Sequence, residues 1–152
     1  MAGTESSTEL LNPYQKHRVL VCIQDADRLL TEIEHILDST NSRSPFPKYI
    51  ADVSPRQRER MEESIAAMRQ NLLEVLERLD IAVPPPQISA LHAVQASLDF
   101  VDIAITEMRP KHLRGYGEVK ATAVSELNQA VEELESTVGS MYRELNGGER
   151  TE

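Results

Sequence analysis

The sequence predicts an all-α fold, an antiparallel up-down-up-down four-helix bundle, and three observations point to it. Apolar residues recur at alternating steps of three and four through four long segments, the period of a core-facing helix. No segment sustains the two-residue alternation of a half-buried strand. The connections, 40–53, 83–86 and 109–120, suit antiparallel neighbours, and there is no long crossover.

The first helix is expected over about 13–39. Asn12 stands as its N-cap and Pro13 at the first helical position, where the missing N–H costs nothing. Val19, Cys22, Ala26, Leu29, Ile33 and Ile36 form its inward stripe, and Ile23, Leu30 and Leu37 widen it. The turn formers and prolines of DSTNSRSPFP end it. Ser54-Pro55 opens the second helix, about 55–82, with Gln57 placed to complete a capping box. Its stripe is Met61, Ile65, Met68, Leu72, Val75 and Leu79, and Pro84-Pro85-Pro86 stops it because three consecutive residues lack an N–H.

The third helix, about 87–108, points Leu91, Val94, Leu98, Val101, Ile105 and Met108 inward. The fourth, about 121–146, does the same with Val124, Leu127, Val131, Leu134, Val138, Met141 and Leu145, and Asn146-Gly147-Gly148 ends it. Residues 1–12 then read as a disordered tail, 13–146 as a single four-helix-bundle domain, and 147–152 as a frayed tail. The same pattern also fits two hairpins exchanged between chains, so a homodimer stays open.

The chain of 152 residues is 40% hydrophobic and 27% charged, a globular composition able to bury a core. Aromatics amount to four Tyr and two Phe with no Trp, so that core is aliphatic. A net charge of −9 argues against nucleic-acid binding, because phosphate would be repelled. Cys22 is the single cysteine. It permits no intrachain disulfide, and its apolar surroundings VLVCI read as those of a small buried hydrophobe. The start lacks a signal-peptide pattern and no apolar run reaches membrane-span length. A cytoplasmic location with no membrane contact is the expectation.

Charge is unevenly placed. Residues 41–60 carry five Lys or Arg against two Asp or Glu, and residues 108–120 carry four against one. In an up-down-up-down bundle the first and third connections share one end, so the acidic rod acquires a basic cap. Phe46, Tyr49 and Tyr116 lie in the same segments. Lys48, Tyr49, Arg109, Lys111, His112, Arg114 and Tyr116 are therefore the candidate residues for binding an anion or an acidic protein partner, since guanidinium forks pair carboxylates and phosphates. A structural account competes with this one. Arg109 and Lys111 complement a helix C-terminus, Gly115 and Gly117 supply positive backbone angles, and Tyr116 folds back as a lid over the core.

Catalytic and metal patterns are weaker. Glu32 and His35 have the Glu-x-x-His spacing used in ferritin-like di-metal bundles, but no second copy exists and the stripe turns His35 outward. His92, Asp99 and Asp102 read as a solvated face. His112-Leu113-Arg114-Gly115 resembles the His-x-Leu-Lys-Gly signature of histidine-phosphotransfer domains, which implies a phosphoaccepting His112. The spacing from His to Gly is one residue short, and Pro110 is expected to leave His112 in a loop. No metal or other cofactor and no catalytic residue is assigned. The expectation is a non-enzymatic binding or interaction protein; the alternatives are a small-molecule or phosphate-handling enzyme using the same cap, or a structural homo-oligomeric module.

Overall fold

The computed structural model describes residues 9–40 and 43–147. Of the expected tails 1–12 and 147–152, residues 1–8 and 148–152 lie outside those residues, and Gly147 is the last residue of the final helix. Among the described residues the chain is entirely helical, with no strand. The order is α1 (Pro13–Ser39), α2 (Pro55–Arg78), α3 (Ala90–Thr106), α4 (Pro110–Leu113), a 3-10 turn (Arg114–Tyr116) and α5 (Ala121–Gly147). No helix is long and apolar enough to cross a membrane. The chain divides into two units, Met1–Pro85 and Pro86–Glu152, each built on one helical hairpin.

Capping chemistry sets most helix boundaries. Asn12 accepts from the Gln15 N–H at 2.9 Å and the Gln15 side chain returns the bond to the Asn12 N–H at 3.0 Å. Ser54 and Gln57 repeat the reciprocal pair at 3.1 and 2.9 Å, each box satisfying two N–H groups that a helix start would otherwise orphan. α2 stops four residues before the expected 82. Asp80 adopts φ +53 and the Ile81 N–H reaches back to the Leu76 carbonyl at 2.9 Å, a left-handed helix stop that a short polar side chain tolerates. α3 begins at Ala90, later than the expected 87, because Ser89 rather than the proline run caps it, accepting from the His92 N–H at 3.3 Å.

In the first hairpin α2 returns antiparallel to α1, and three ion pairs mark its register. Lys16 meets Asp80 at 3.9 Å, Asp27 meets Arg69 at 2.8 Å, and Asp38 meets Arg58 at 2.6 Å. The partners step by eleven residues on both segments, three helical turns, so positions eleven apart fall within about 20° of one another. The pairs therefore line a single flank of the seam. Arg69 also binds Glu34 and donates to the Thr31 hydroxyl at 2.9 Å. Solvent-screened pairs of this kind contribute little stability; what they fix is register. Between the helices Leu30, Leu37, Ile65 and Leu76 are buried.

The second hairpin repeats the plan with different chemistry. Gln95 donates to Asn146 at 3.2 Å, the Tyr142 hydroxyl donates to Asp99, and Arg109 binds Glu135 at 2.9 Å. Four residues separate Gln95 from Asp99 and four separate Tyr142 from Asn146, so these bonds also run down one flank. Leu98, Val131 and Val138 are buried in the seam, with Val131 wholly inaccessible.

The expected stripes are thus only partly buried. In each hairpin the flank opposite the polar pairs is open. Leu29, Ile33, Met61 and Met68 in the first, and Val94, Val101, Leu134 and Met141 in the second, are 38 to 49% exposed. One helical neighbour covers roughly half of an apolar face wide enough for two. Cys22, expected inside, is exposed. In the run Val19–Ile23 every position is apolar, and Ile23, not Cys22, turns toward α2.

Candidate functional site

The segment Arg109–Val119 is more ordered than a loop. Pro110, buried and at the first helical position, starts the single turn α4, and the chain continues into the 3-10 turn before Gly117 breaks it. His112 accordingly sits in a helical turn rather than the expected loop, its N–H bonded to the Arg109 carbonyl at 2.9 Å. A proline at this position needs no intrahelical partner and carries a preset φ, so it nucleates the turn instead of preventing it. Of the two glycines only Gly117 has a positive φ, at 137°, a conformation available essentially to glycine alone. Gly115 needs no such freedom, contrary to expectation.

Arg109, Lys111 and Arg114 come together around an open depression of about 430 Å³, completed by Pro110 and by Val124 and Asn128 of α5. Among the described residues no carboxylate lines it. Arg109 is half-buried and committed to Glu135, which holds its guanidinium in place and takes up part of its charge. Among the described residues, Lys111 and Arg114 form no ion pair. Asn128 was not legible as a site residue, although it shares the polar side of α5 with Glu135, seven residues on.

His112 and Tyr116 do not line this depression. Tyr116 is 93% exposed. The expected lid over the core is therefore wrong, because Tyr116 ends the 3-10 turn, where its ring projects away from the α3–α5 seam. The structural account of Arg109 also changes. It serves as N-cap residue of α4 and partner of Glu135, not as a cation at the end of α3.

Lys48 and Tyr49 belong to the first unit. The Lys48 ammonium lies 5.4 Å from the centre of the Tyr49 ring, within cation–π range. Both line a cleft of about 370 Å³ with Ile36, Leu37, Asp52 and Val53. The Asp52 carboxylate makes this cleft less anion-selective than the Lys111–Arg114 depression.

Other sequence candidates fall on surfaces. Glu32 and His35 are exposed, and Glu32 lies 3.8 Å from Arg28. Among the described residues no three His, Cys, Asp or Glu converge as metal ligands would. Asp99 is engaged by Tyr142, whose phenol is pushed up to about 12, first by that hydrogen bond, then by burial and by the charges of Asp99 and Asp102. Comparison with protein-family models, characterised proteins and solved structures gives no match.

Proposed function

We propose that the protein is a non-enzymatic interaction module. Its two hairpins pack their open apolar flanks into one four-helix core, and its basic turn receives an anion or the acidic surface of a protein partner. The observation that carries the binding part is the depression between Lys111 and Arg114, which among the described residues has two cations without an ion pair at its edge, a third held by Glu135, and no carboxylate. An unneutralised cluster on a chain of net charge −9 concentrates positive potential locally and steers anionic partners to one place. Arg114 supplies a planar fork for a carboxylate or phosphate, Lys111 a mobile point charge, and the Asn128 amide a neutral donor.

The four-helix core is supported by the flanks themselves. Each hairpin spends its polar side chains on one flank and leaves the other to Leu, Ile, Val and Met, and contiguous exposed apolar surface of that kind is the mark of a contact surface. Up-down-up-down packing would bring the connection 40–54 to the same end as residues 109–120. The Lys48–Tyr49 cleft would then belong to the same basic cap.

Phosphate titration at low salt, followed by NMR, tests the anion site. Shifts are expected at Arg109, Lys111, Arg114 and Asn128, fading as salt rises and absent in Lys111→Glu/Arg114→Glu. Shifts spread evenly over all basic residues, or unchanged in that variant, would reject the site.

A further inference from the structure

Three of the long helices turn charge to solvent. α1 exposes Asp25, Arg28 and Glu32; α2 exposes Glu59, Glu63, Gln70 and Glu77; α5 exposes Glu126, Glu133, Ser140 and Glu144. α3 does not. On the side facing away from its Leu98 seam it carries Ala93, Ala96, Phe100, Ile103 and Ala104, all exposed, with Phe100 at 72% and Ile103 at 56%. These positions recur at helical spacing and form a stripe distinct from the open flank at Val94 and Val101. A helix that is apolar on its outward face as well as along its seam has more apolar surface than one neighbour covers.

We propose that this back face of α3 is the contact between two copies of the chain, crossing antiparallel about a two-fold axis near Phe100. Charge favours a copy. α3 contains no Lys, Arg or Glu, and of its two acids Asp99 is bonded to Tyr142 while Asp102 is half-buried. Elsewhere two chains of net charge −9 repel; on this face they approach with least cost. Size and polarity also complement each other about that axis. The small Ala96 of one copy opposes the bulky Ile103 of the other, and the imidazole of His92 opposes the carboxylate of Glu107 at each end of the stripe. Small residues facing large ones let the helices interdigitate, and antiparallel dipoles oppose favourably.

One helix of 17 residues against its copy gives a contact at the small end of specific interfaces, below about 1,200 Å² in total. The dimer is therefore concentration-dependent.

Sedimentation of the full chain across a concentration series, with a cross-linking arm, tests the proposal. Wild type is expected to shift from monomer toward dimer as concentration rises. Phe100→Arg should stay monomeric with an unchanged helical circular dichroism signal, its site being exposed already. In a Cys22→Ser background, Phe100→Cys should oxidise to a covalent dimer, and Ser140→Cys on the charged back of α5 should not. A chain monomeric at every concentration would overturn the proposal. So would a dimer that survives Phe100→Arg but is lost in Leu134→Arg, which would assign self-association to the open flanks instead.

Discussion

The two hairpins solve one problem with different side chains. Both bury a narrow aliphatic seam, tie one flank with polar pairs and leave the other apolar. The first ties its flank with ion pairs at three-turn intervals, Lys16–Asp80, Asp27–Arg69 and Asp38–Arg58. The second uses an amide pair, a phenol–carboxylate bond and one half-buried ion pair. The architecture thus asks only for polarity on that flank, while the chemistry chosen there decides which solution condition weakens which hairpin.

Breaking the seam gives the largest effect and should treat both hairpins alike. Val131→Asp places a carboxyl at a wholly inaccessible site, and burying that group without a partner costs roughly 4 kcal/mol. Loss of cooperative thermal unfolding by circular dichroism is the expected outcome, with Leu76→Asp doing the same in the first hairpin. Leu72, part of the same sequence stripe, is only half-buried and lines an open apolar hollow with Leu73 and Leu76, so Leu72→Asp should be milder.

Gly117 and Gly115 separate the strained from the ordinary position inside the second unit. Gly117→Ala forces a side chain into φ 137, a conformation that costs about 1–3 kcal/mol away from glycine. Gly115→Ala meets no atom within 4 Å and has no positive φ to lose, so its denaturation midpoint should match wild type.

Salt and alkali then distinguish the hairpins. Asp27, followed by Glu34, raises the Arg69 pKa above its ordinary value by hydrogen bonding. Arg69→Ala should lower the thermal midpoint at low salt and much less at high salt, where screening has already weakened the pairs. In the second hairpin the raised Tyr142 pKa means that the folded state favours the protonated phenol. That contribution is complete below about pH 10, the usual tyrosine value, and is lost as pH rises through about 12. Ultraviolet phenolate titration should show a late component centred there, missing in Tyr142→Phe.

The smallest expected effect is at Tyr116. With 93% of its surface exposed, Tyr116→Ala should leave stability within the scatter of ordinary surface substitutions, about 0.5 kcal/mol.

Helix starts at Asn12-Pro13 and Ser54-Pro55 were legible to the residue because capping is local chemistry, contained within four positions. The α2 stop was not, since an aspartate in a left-handed conformation carries no sequence mark stronger than the proline run beyond it. Partial burial of the stripes was also hidden. Periodicity says which residues share a face, not how many neighbours that face has. The site was half legible. Clustering of cations in the sequence pointed to Arg109, Lys111 and Arg114, whereas Asn128 and Glu135 arrive from the next helix, beyond the reach of local spacing, and the outward turn of Tyr116 depends on where the 3-10 turn ends.

The proposed closure of the two apolar flanks against each other is open to a direct check by methionine methyl NMR on the intact chain. Met61, Met68 and Met141 stand on those flanks, each close to half exposed. If the flanks meet, all three methyls will resist a soluble paramagnetic relaxation agent, and the Met68 methyl will show contacts to Val101 or Leu134. Methyls relaxed by the agent as half-exposed side chains are, with no contact from the first hairpin to the second, would contradict it.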